Sequence, residues 1–329
     1  MKNIAVLGAT GLVGEEVIKI LEQRNFPTKE LFLFASERSE GQTVIFKDRE
    51  IEVLSDYESF KDKVDLVFSC LDVSLAREIV PKFKNTAVVI DNSNAFRMDS
   101  EVPLIIPEIN SEKIKEHKGI IANPNCSTIQ MLVPLYYLHK KAKVKRIFVA
   151  TYQSVSGYGR DAVDELKLEF EYLGMCQDIE KLERPVFSHP IGNNIIPQIG
   201  DFNEDGYTKE EMKMLNETRK ILDDELIQVT STCVRIPVIC GHSEAVSVEF
   251  ENALSPGEAK EILKGAPGVK LIEKSDDYPM PIHAAGHDEV FVGRIRKDLA
   301  FENGLAMWIV ADNVRKGAAL NAVQIAELL

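Results

Sequence analysis

The chain has 329 residues, 45% of them hydrophobic and 28% charged, which is long enough for two domains with sizeable cores. A net charge of −13, without any stretch rich in lysine and arginine, argues against a nucleic-acid or anionic-membrane partner. Five cysteines without CxxC spacing predict neither a disulfide framework nor a metal site. With no apolar run of membrane-spanning length, the sequence predicts a cytoplasmic protein.

The first predicted elements form a phosphate-binding unit. A strand over Lys2–Leu7 leads into Gly8-Ala9-Thr10-Gly11-Leu12-Val13-Gly14, and a helix follows over Glu15–Gln23. The first two glycines allow a tight turn and a close approach to a pyrophosphate, and the third allows the helix to pack near the strand. The spacing is GxxGxxG rather than GxGxxG, and a tight turn without a ligand would look the same. The flanking strand and helix favour dinucleotide binding at the helix N-terminus.

The end of the second predicted strand distinguishes NADP from NAD. This strand covers Leu31–Ala35 and is followed by Ser36-Glu37-Arg38-Ser39. An NAD site usually carries an acidic residue here, which binds the ribose 2′-hydroxyl. Hydroxyl groups and a guanidinium instead suit a 2′-phosphate, which Arg38 can bind with two donors. The sequence therefore predicts NADP, and Glu37 is the residue that fits this prediction least.

Further short apolar runs predict an open parallel sheet. Val64–Cys70 and Ala87–Asp91 are typical of strands buried on both faces, and helical patterns lie between the predicted strands. This alternation indicates a doubly wound α/β domain of the Rossmann type, whose ligands bind at the carboxyl ends of the strands. Three segments fall at that edge, namely residues 69–72, residues 92–97 and the loop around Cys126.

One cysteine lies at a predicted entry into a helix. The segment is Asn123-Pro124-Asn125-Cys126-Ser127-Thr128, and an apolar-periodic run over Ile129–His139 follows it. We expect Cys126 at or near the helix N-terminus, where unpaired backbone N–H groups favour negative charge and ease ionisation of a thiol. A thiolate there suits the nucleophile of an acyl-transfer enzyme. A buried structural cysteine near a helix start is the other interpretation of this segment.

From about residue 128 the pattern changes to alternating strands. Ala245–Phe250 and Leu305–Val310 each present one apolar face, which is typical of a mixed or antiparallel sheet with one covered side. The second region is therefore predicted to be α+β rather than doubly wound.

A helix is predicted over Thr208–Leu226, with Thr208 and Glu211 as a capping box. Its predicted apolar face consists of Met212, Leu215 and Leu222. Glu210 and Lys213 are three residues apart and therefore neighbours on this helix. Their spacing alone favours a solvated ion pair, and a contact to a charged ligand is the alternative.

Three polar residues stand out elsewhere in this region. Gln153 follows a predicted strand over Arg146–Thr151, and Arg235 lies within the apolar run Val234–Ile239. Arg235 fits either an interior ion pair or a ligand contact. His242 lies in a predicted turn before a strand, and a histidine in a turn is usually a surface residue. The spacing of residues along the sequence does not show which histidine lies close to Cys126.

The motifs occur in an order that covers essentially the whole chain. They are Gly8–Gly14, Ser93–Arg97, Asn123–Thr128, Tyr152–Gly157, Arg235–Val238 with Gly241–Ser243, and Ala311–Ala319. This ordered set resembles the aspartate-semialdehyde dehydrogenase family in its compact bacterial form. The resemblance implies an N-terminal Rossmann-type domain and an α+β catalytic and dimerisation domain like that of glyceraldehyde-3-phosphate dehydrogenase.

The resemblance also implies how the domains are divided and assembled. An NADP-binding domain would comprise residues 1–127 with 313–329, because the C-terminal helix returns to it, and residues 128–312 would form the catalytic and dimerisation domain. The family forms homodimers or homotetramers. Its activity is the NADPH-dependent reduction of L-aspartyl-4-phosphate to L-aspartate 4-semialdehyde, which leads to lysine, threonine, isoleucine, methionine and diaminopimelate.

Matching the motifs position by position implies a role for each site residue. The catalytic groups are Cys126 as nucleophile, His242 as general acid/base and Gln153 as the residue that orients the substrate. The substrate-binding residues are Arg235 for the α-carboxylate, Glu210 for the amino group, Arg97 and Lys213 for the phosphate, and Asn125. The cofactor-binding residues are Gly8, Thr10, Gly11, Leu12, Val13, Ser36, Arg38, Ser39, Ser156, Gly157 and Asn313.

Two other functions fit parts of the sequence. N-acetylglutamyl-phosphate reductase shares the chemistry and architecture, but its substrate has a blocked amine, so Glu210 would have no ammonium to bind. A non-catalytic NADP-binding sensor could have the same fold. The joint presence of Cys126, His242, Gln153 and Arg235 argues against that second alternative.

Overall fold

A computed structural model describes residues 1–274 and 276–329 of the chain. They divide into two compact units, Met1–Asn125 with Gly317–Leu329, and Cys126–Lys316. The boundaries expected from the family resemblance differ from these by two residues at the first division and four at the second. Among the described residues, no helix is both long and apolar enough to cross a membrane.

The first unit contains a seven-stranded, mostly parallel sheet. Its strands are β1 (Lys2–Leu7), β2 (Thr28–Phe34), β3 (Thr43–Phe46), β4 (Arg49–Leu54), β5 (Leu66–Ser69), β6 (Val88–Asp91) and β7 (Ile120–Ala122). Helices α1 (Leu12–Gln23), α2 (Val73–Ile79) and α3 (Pro107–Asn110) connect them. The strand order is β3-β4-β2-β1-β5-β6-β7, and only the β3–β4 pair at the edge is antiparallel.

This order reverses on either side of β1, as in a doubly wound sheet. Ile4, Ala5 and Val6 are fully buried in β1, in agreement with a strand that is covered on both faces. The predicted α/β fold class is confirmed for this unit.

The second unit contains a six-stranded mixed sheet within the described residues. Its elements are α4 (Cys126–Ala142), β8 (Val144–Gln153), α5 (Arg160–Gly174), α6 (Lys209–Leu222), β9 (Gln228–Arg235), β10 (His242–Phe250), α7 (Pro256–Leu263), β11 (Val269–Leu271), α8 (Pro281–Ala284), β12 (Val290–Lys297) and β13 (Gly304–Ala311). The strand order is β11-β12-β13-β10-β8-β9. The β8–β9 and β11–β12 pairs are parallel and the others antiparallel.

Only one face of this second sheet is well covered. Along β8 the side chains of Ile147, Val149 and Thr151 are buried, whereas Phe148 on the other face is 45% exposed. Helix α4 packs on the covered face against β8, β10, β12 and β13. The predicted alternation of buried and exposed side chains along the strands of this region is thereby confirmed.

Helix α6 begins with the predicted capping box. The Thr208 side chain accepts from the backbone N–H of Glu211, and the Glu211 carboxylate accepts from that of Thr208. The predicted apolar face is wrong, because Met214 and Ile221 are buried while Met212 and Leu215 are only half-buried. Three glutamates share the buried face (Glu210, Glu211 and Glu217), so hydrophobic periodicity gave the wrong orientation.

The C-terminal helix α9 (Leu320–Glu327) belongs to the first unit and packs against α1. Val17 and Leu21 of α1 share a buried core with Leu320 and Val323 of α9. An ion pair between Arg24 and Glu327, at 2.6 Å, joins the ends of the two helices.

Candidate active site

Strand register places three predicted site residues in one row across the second sheet. Gln153 of β8 pairs with Arg235 of the parallel strand β9. Ser243 of β10 pairs with Tyr152 of the antiparallel strand β8, which sets His242 beside Gln153. Directly opposed residues point to the same face of a sheet. All three side chains of this row are at most 2% exposed and lie on the face that α4 covers.

His242 is fully buried, so the expectation of a surface turn is wrong. It is the first residue of β10, and its backbone pairs with Ala311 of β13. Its Nδ1 atom accepts a hydrogen bond of 3.0 Å from the backbone N–H of Ser154. Burial, and secondarily the charge of Arg235, hold the pKa of His242 well below its ordinary value of 6.5, while Glu210 opposes this shift. The ring is therefore neutral at physiological pH.

The hydrogen bond from Ser154 also selects the tautomer of this ring. A nitrogen that accepts from an N–H group carries no proton, so neutral His242 has its proton on Nε2. If Nδ1 were protonated, its N–H would point at the backbone N–H of Ser154. This repulsion disfavours the charged ring, in agreement with the lowered pKa of His242. Nε2 is buried and has no hydrogen-bond partner in the described part of the chain. A Cβ atom on Gly157 would lie only 3.2 Å from it.

Arg235 offers a buried guanidinium beside this histidine. One of its terminal nitrogens donates to the Ser154 carbonyl at 2.5 Å, and the guanidinium lies 5.1 Å from the centre of the Tyr158 ring. Its Nε–H has no partner among the described residues. Burial lowers its pKa, and Glu210 and Cys126 oppose that shift through their charges, but an arginine remains protonated at any physiological pH. The neighbourhood of Glu210, Cys126 and Tyr158 is not that of a simple interior ion pair.

Gln153 links the row to helix α6. Its amide donates to Glu210 at 3.2 Å, and its carbonyl oxygen accepts from the Thr151 hydroxyl at 3.1 Å. Lys213 binds the other carboxylate oxygen of Glu210 at 2.9 Å. The Glu210 side chain is 7% exposed and that of Lys213 is 24% exposed. The interpretation of this pair as a solvated surface ion pair is therefore wrong.

Cys126 is the first residue of α4, as predicted. It is half-buried and lies close enough to Arg235 for an electrostatic interaction between the two side chains. Both the helix N-terminus and the guanidinium favour a thiolate over a thiol at this place. Geometry thus brings the nucleophile candidate to the same face as the row.

Three residues predicted to bind the cofactor surround His242 within the second unit. The Asn313 carbonyl oxygen accepts from the Gly241 N–H and from the Ser154 hydroxyl, each at 2.9 Å. The Asn313 amide donates to the Ser156 hydroxyl at 2.9 Å. Gly157 follows in the same short helical turn, beside Arg235 and His242. The division expected from the resemblance placed Asn313 in the nucleotide domain, whereas the structure includes it in the second unit.

The glycine loop of the first unit has the shape that a pyrophosphate requires. Gly8 has φ = +79°, and a Cβ atom there would lie 2.6 Å from the Cys70 carbonyl oxygen. A Cβ atom on Gly14 would lie 2.2 Å from the Gly8 carbonyl oxygen. Gly11 precedes α1 and supplies no side chain to cap it, so the N–H groups at Leu12 and Val13 suit an anion. These residues fit a dinucleotide.

A cavity of about 590 Å³ extends from this loop within the first unit. Its lining includes Gly8, Thr10, Ser36, Glu37 and Arg38. The Thr10 hydroxyl lies 3.3 Å from that of Ser39, at the end of a short helical turn over Glu37–Ser39. Two of the predicted 2′-phosphate residues, Ser36 and Arg38, therefore line this cavity together with Glu37, and Ser39 lies beside Thr10.

Two predicted substrate residues also lie in the first unit. Arg97 is 6% exposed and donates to the Asn92 carbonyl at 2.9 Å. Burial raises the pKa of Asp91, while hydrogen bonds from Ser93 and the charge of Arg97 oppose that rise. Asn125 is 5% exposed and immediately precedes Cys126.

Comparisons with known proteins agree with this arrangement. Residues 3–117 match the family model of the semialdehyde dehydrogenase NAD binding domain, and residues 132–316 match that of the semialdehyde dehydrogenase dimerisation domain. An aspartate-semialdehyde dehydrogenase of Aquifex aeolicus is 55% identical over 99% of this chain and 97% of its own length. The chain belongs to the aspartate-semialdehyde dehydrogenase family. The family prediction is confirmed.

Solved structures of the family share the fold. A structure of aspartate semialdehyde dehydrogenase II from Vibrio cholerae, described as complexed with ASA, has a TM-score of 0.97 and 45% identity over 100% of this chain and 98% of that one. A structure from Candida albicans, described as containing NADP, has a TM-score of 0.76 and 27% identity over 100% and 98% of the two chains. The chain is accordingly an oxidoreductase with an NAD(P)-binding domain.

Sequence reasoning missed several residues around the site. Ser154 was not singled out within the Tyr152–Gly157 motif, although its backbone and hydroxyl contact His242, Arg235 and Asn313. Gln130 and Glu244 were not singled out, although both are fully buried near the row. The only sequence signal for them is a polar residue at an apolar position, four residues after Cys126 and two after His242.

Proposed function

We propose that the chain reduces L-aspartyl-4-phosphate to L-aspartate 4-semialdehyde with NADPH, through a thioester on Cys126. The observation that carries this proposal is the buried row of Arg235, Gln153 and His242 on the face where α4 begins at Cys126. The names of the relatives support the same reaction.

The covalent step requires a thiolate. In our proposal the Cys126 sulfur bonds to the acyl carbon, and the bond from that carbon to the phosphate oxygen breaks, so the phosphate leaves with the electron pair. The helix N-terminus and Arg235 stabilise the anionic sulfur before attack. When bound, NADPH supplies the hydride that reduces the thioester. Cleavage of the carbon–sulfur bond then releases the aldehyde and restores the thiolate.

The substrate carries a carboxylate, an ammonium and a phosphate, and the proposed site supplies the opposite charge for each. The buried Nε–H of Arg235 has no partner in the part of the chain that the structure describes, which leaves it available as one of the paired donors that an α-carboxylate accepts. Glu210 is a buried acceptor for the ammonium. Lys213 and Arg97 are proposed to bind the phosphate, and Asn125 to contact the substrate.

We propose that His242 acts as a neutral donor through Nε2–H. Its tautomer and lowered pKa make it unsuited to take the thiol proton at Nε2. A donor aimed at the acyl oxygen stabilises the negative charge that develops there in both chemical steps. Because Cys126 enters and leaves as a thiolate, no proton transfer through His242 is needed at the sulfur. This proposed role differs from the general acid/base role that the family resemblance implies.

We propose NADP rather than NAD as the preferred cofactor. Ser36 and Arg38 line the cavity of the first unit, where Arg38 is exposed, and the Ser39 hydroxyl lies 3.3 Å from that of Thr10, which lines it too. The structure from Candida albicans that is described with NADP supports this choice. Within the second unit, Ser156, Gly157 and Asn313 are proposed to contact the nicotinamide part.

A second copy of the chain is proposed to cover the open face of the second sheet, giving a homodimer or, from two dimers, a homotetramer. Phe148 is 45% exposed there, and Tyr152 and Trp308, half-buried on the same face, form a ring pair 5.5 Å apart. The match to a dimerisation domain supports this assembly.

We also propose a cytoplasmic location, where a reducing environment keeps Cys126 in its reduced state.

One assay tests the function directly. NADP reduction should proceed with aspartate semialdehyde plus phosphate and should be at least about 100-fold slower with N-acetylglutamate semialdehyde. The reason is that Glu210 can make a charge-assisted contact with a free ammonium group, which the acetylated substrate lacks. Activity with the acetylated substrate alone would favour the acyl-phosphate reductase alternative. NADP binding without either activity would favour the sensor.

A further inference from the structure

A pair of buried polar residues lies directly behind the catalytic groups. Glu244 follows His242 by two positions on β10, so both side chains point to the same face of the sheet. Gln130 follows Cys126 by four positions on α4, so both lie on one side of that helix. Both side chains are 0% exposed.

Strand register shows that Glu244 belongs to a second row. Glu244 pairs with Thr151 of β8, which in turn pairs with Cys233 of β9. On its other side Glu244 pairs with Ile309 of β13. This second row lies one step along the sheet from the row of Arg235, Gln153 and His242, and α4 covers both.

The chemistry of this pair is unfavourable for stability. Burial raises the pKa of Glu244 well above its ordinary value and so favours the neutral carboxylic acid form of the side chain. Gln130 lies against it and opposes part of that rise. None of the polar atoms of the two side chains has a partner at hydrogen-bond geometry within the described residues. Apolar side chains of similar size would pack there at lower cost.

We propose that Glu244 and Gln130 form a positioning pair that sets the placement of Cys126 relative to His242. Apolar contacts alone let a helix slide or rotate on a sheet, whereas two buried polar groups that face each other across an apolar interface make any other placement more costly. The pair joins α4 to β10 one helical turn behind the nucleophile. A neutral acid also places no negative charge beside the thiolate.

The inference rests on the proposed function for the roles of Cys126 and His242, but its first test does not need turnover. We would measure the rate at which iodoacetamide alkylates Cys126 in the complete protein without ligands, by peptide mass spectrometry. Glu244→Leu and Gln130→Leu should each slow alkylation at least about tenfold, since a shift of α4 on the sheet moves the sulfur away from the Arg235 guanidinium. Their melting temperatures should equal or exceed that of the parent.

The matched variants separate positioning from stability. Glu244→Gln keeps a neutral polar group and should retain alkylation and kcat within about threefold. Thr218→Val removes another fully buried hydroxyl, on α6, that has no hydrogen-bond partner among residues 1–274 and 276–329, and it should leave alkylation unchanged. If the Leu variants fold, kcat should fall with the alkylation rate while NADP affinity stays constant.

A double variant tests whether the two residues act as one unit. Gln130→Leu with Glu244→Leu should lose no more alkylation rate than either single change, because the pair is already broken by one. Parental alkylation in the single variants, or fully additive losses, would overturn the proposal. If Glu244→Leu fails to fold, the alkylation rates of Gln130→Leu and Glu244→Gln test the positioning role instead. Gln130→Leu should be slow and Glu244→Gln close to the parent. If alkylation responds as expected but no semialdehyde is oxidised, the positioning pair stands and the proposed function fails.

Discussion

The two units of this chain encode their sites in different ways. In the first unit, the residues that form the phosphate loop are consecutive, from Gly8 to Gly14, and Gly8 and Gly14 are each required by a close backbone contact. In the second unit, the site residues lie far apart in sequence at Cys126, Gln153, Arg235 and His242. Strand register, rather than local sequence, brings the last three of them into one row.

This difference explains which features the sequence could predict. Local turn geometry and helix entry are properties of neighbouring residues, so the loop and the start of α4 at Cys126 were both predicted. Burial of His242 depends on β13 and β8, more than 60 residues away on either side along the chain, and local reading placed it on the surface. The expectation that His242 belongs to the site came from the family resemblance, because hydrophobic periodicity did not predict its burial.

The largest expected effect tests the covalent part of the second site. Cys126→Ala should bind NADP like the parent but lose turnover by on the order of 10⁴-fold or more, because no other group can form the thioester. Steady-state kinetics and cofactor titration measure the two quantities. Cys176→Ala, at an exposed cysteine far along the chain, is the matched control and should keep full activity. Substantial turnover in Cys126→Ala would end the covalent mechanism.

The second prediction tests the neutral-donor role of His242. His242→Asn withdraws the N–H group from the acyl oxygen and should lower kcat by about 10²–10³-fold with a smaller change in KM. His242→Gln can place an N–H near the Nε2 position and should retain more activity than Asn. In the parent, ¹⁵N resonances should show a neutral ring with its proton on Nε2 at pH 7. A ring protonated on Nδ1 would contradict this role.

The third prediction concerns the row itself. Arg235→Lys keeps a positive charge but loses the planar fork, so kcat/KM should fall by an amount equivalent to about 2–5 kcal/mol for a disturbed buried charge pair. NADP affinity should stay the same, because the phosphate loop lies in the other unit. Arg146→Lys, at a partly exposed arginine of β8 that pairs with Glu249, provides the control. If Arg235→Lys kept the kcat/KM of the parent, Arg235 would not be the residue that binds the α-carboxylate.

The fourth prediction moves to the first unit. Arg38→Ala should weaken NADP binding about 10- to 100-fold by removing charge-assisted hydrogen bonds to the 2′-phosphate. NAD lacks that phosphate and should bind with nearly unchanged affinity. Calorimetric titration with both cofactors makes the comparison. Equal losses for NADP and NAD would mean that Arg38 contacts a part that both share.

The smallest effect concerns the phosphate loop as a structural element. Gly14→Ala places a Cβ atom within 2.2 Å of the Gly8 carbonyl oxygen, so the loop must shift and the free energy of unfolding should fall by about 1–3 kcal/mol. Gly174→Ala, where an added Cβ atom meets nothing within 4 Å, should leave stability unchanged or slightly higher. Denaturant titration of both variants tests whether the local requirement is real.

Prediction from sequence was least reliable where polar residues enter apolar faces. On α6 the apolar residues Met212 and Leu215 indicated the wrong buried side, because Glu211 is held inside by its capping bonds and Glu210 by Gln153 and Lys213. Gln130 and Glu244 escaped notice for the same reason. Hydrophobic periodicity assumes that buried positions are apolar, and an active site is where that assumption fails.

The most direct test of the central claim is a single-turnover experiment without phosphate. Mixing the protein with aspartate semialdehyde and NADP should form one NADPH per active site and stop, because the thioester has no phosphate to accept its acyl group. Peptide mass spectrometry should then find one aspartyl group on Cys126, and added phosphate should release it and restart turnover. No NADPH without phosphate, or an aspartyl group on another residue, would contradict the thioester mechanism at Cys126.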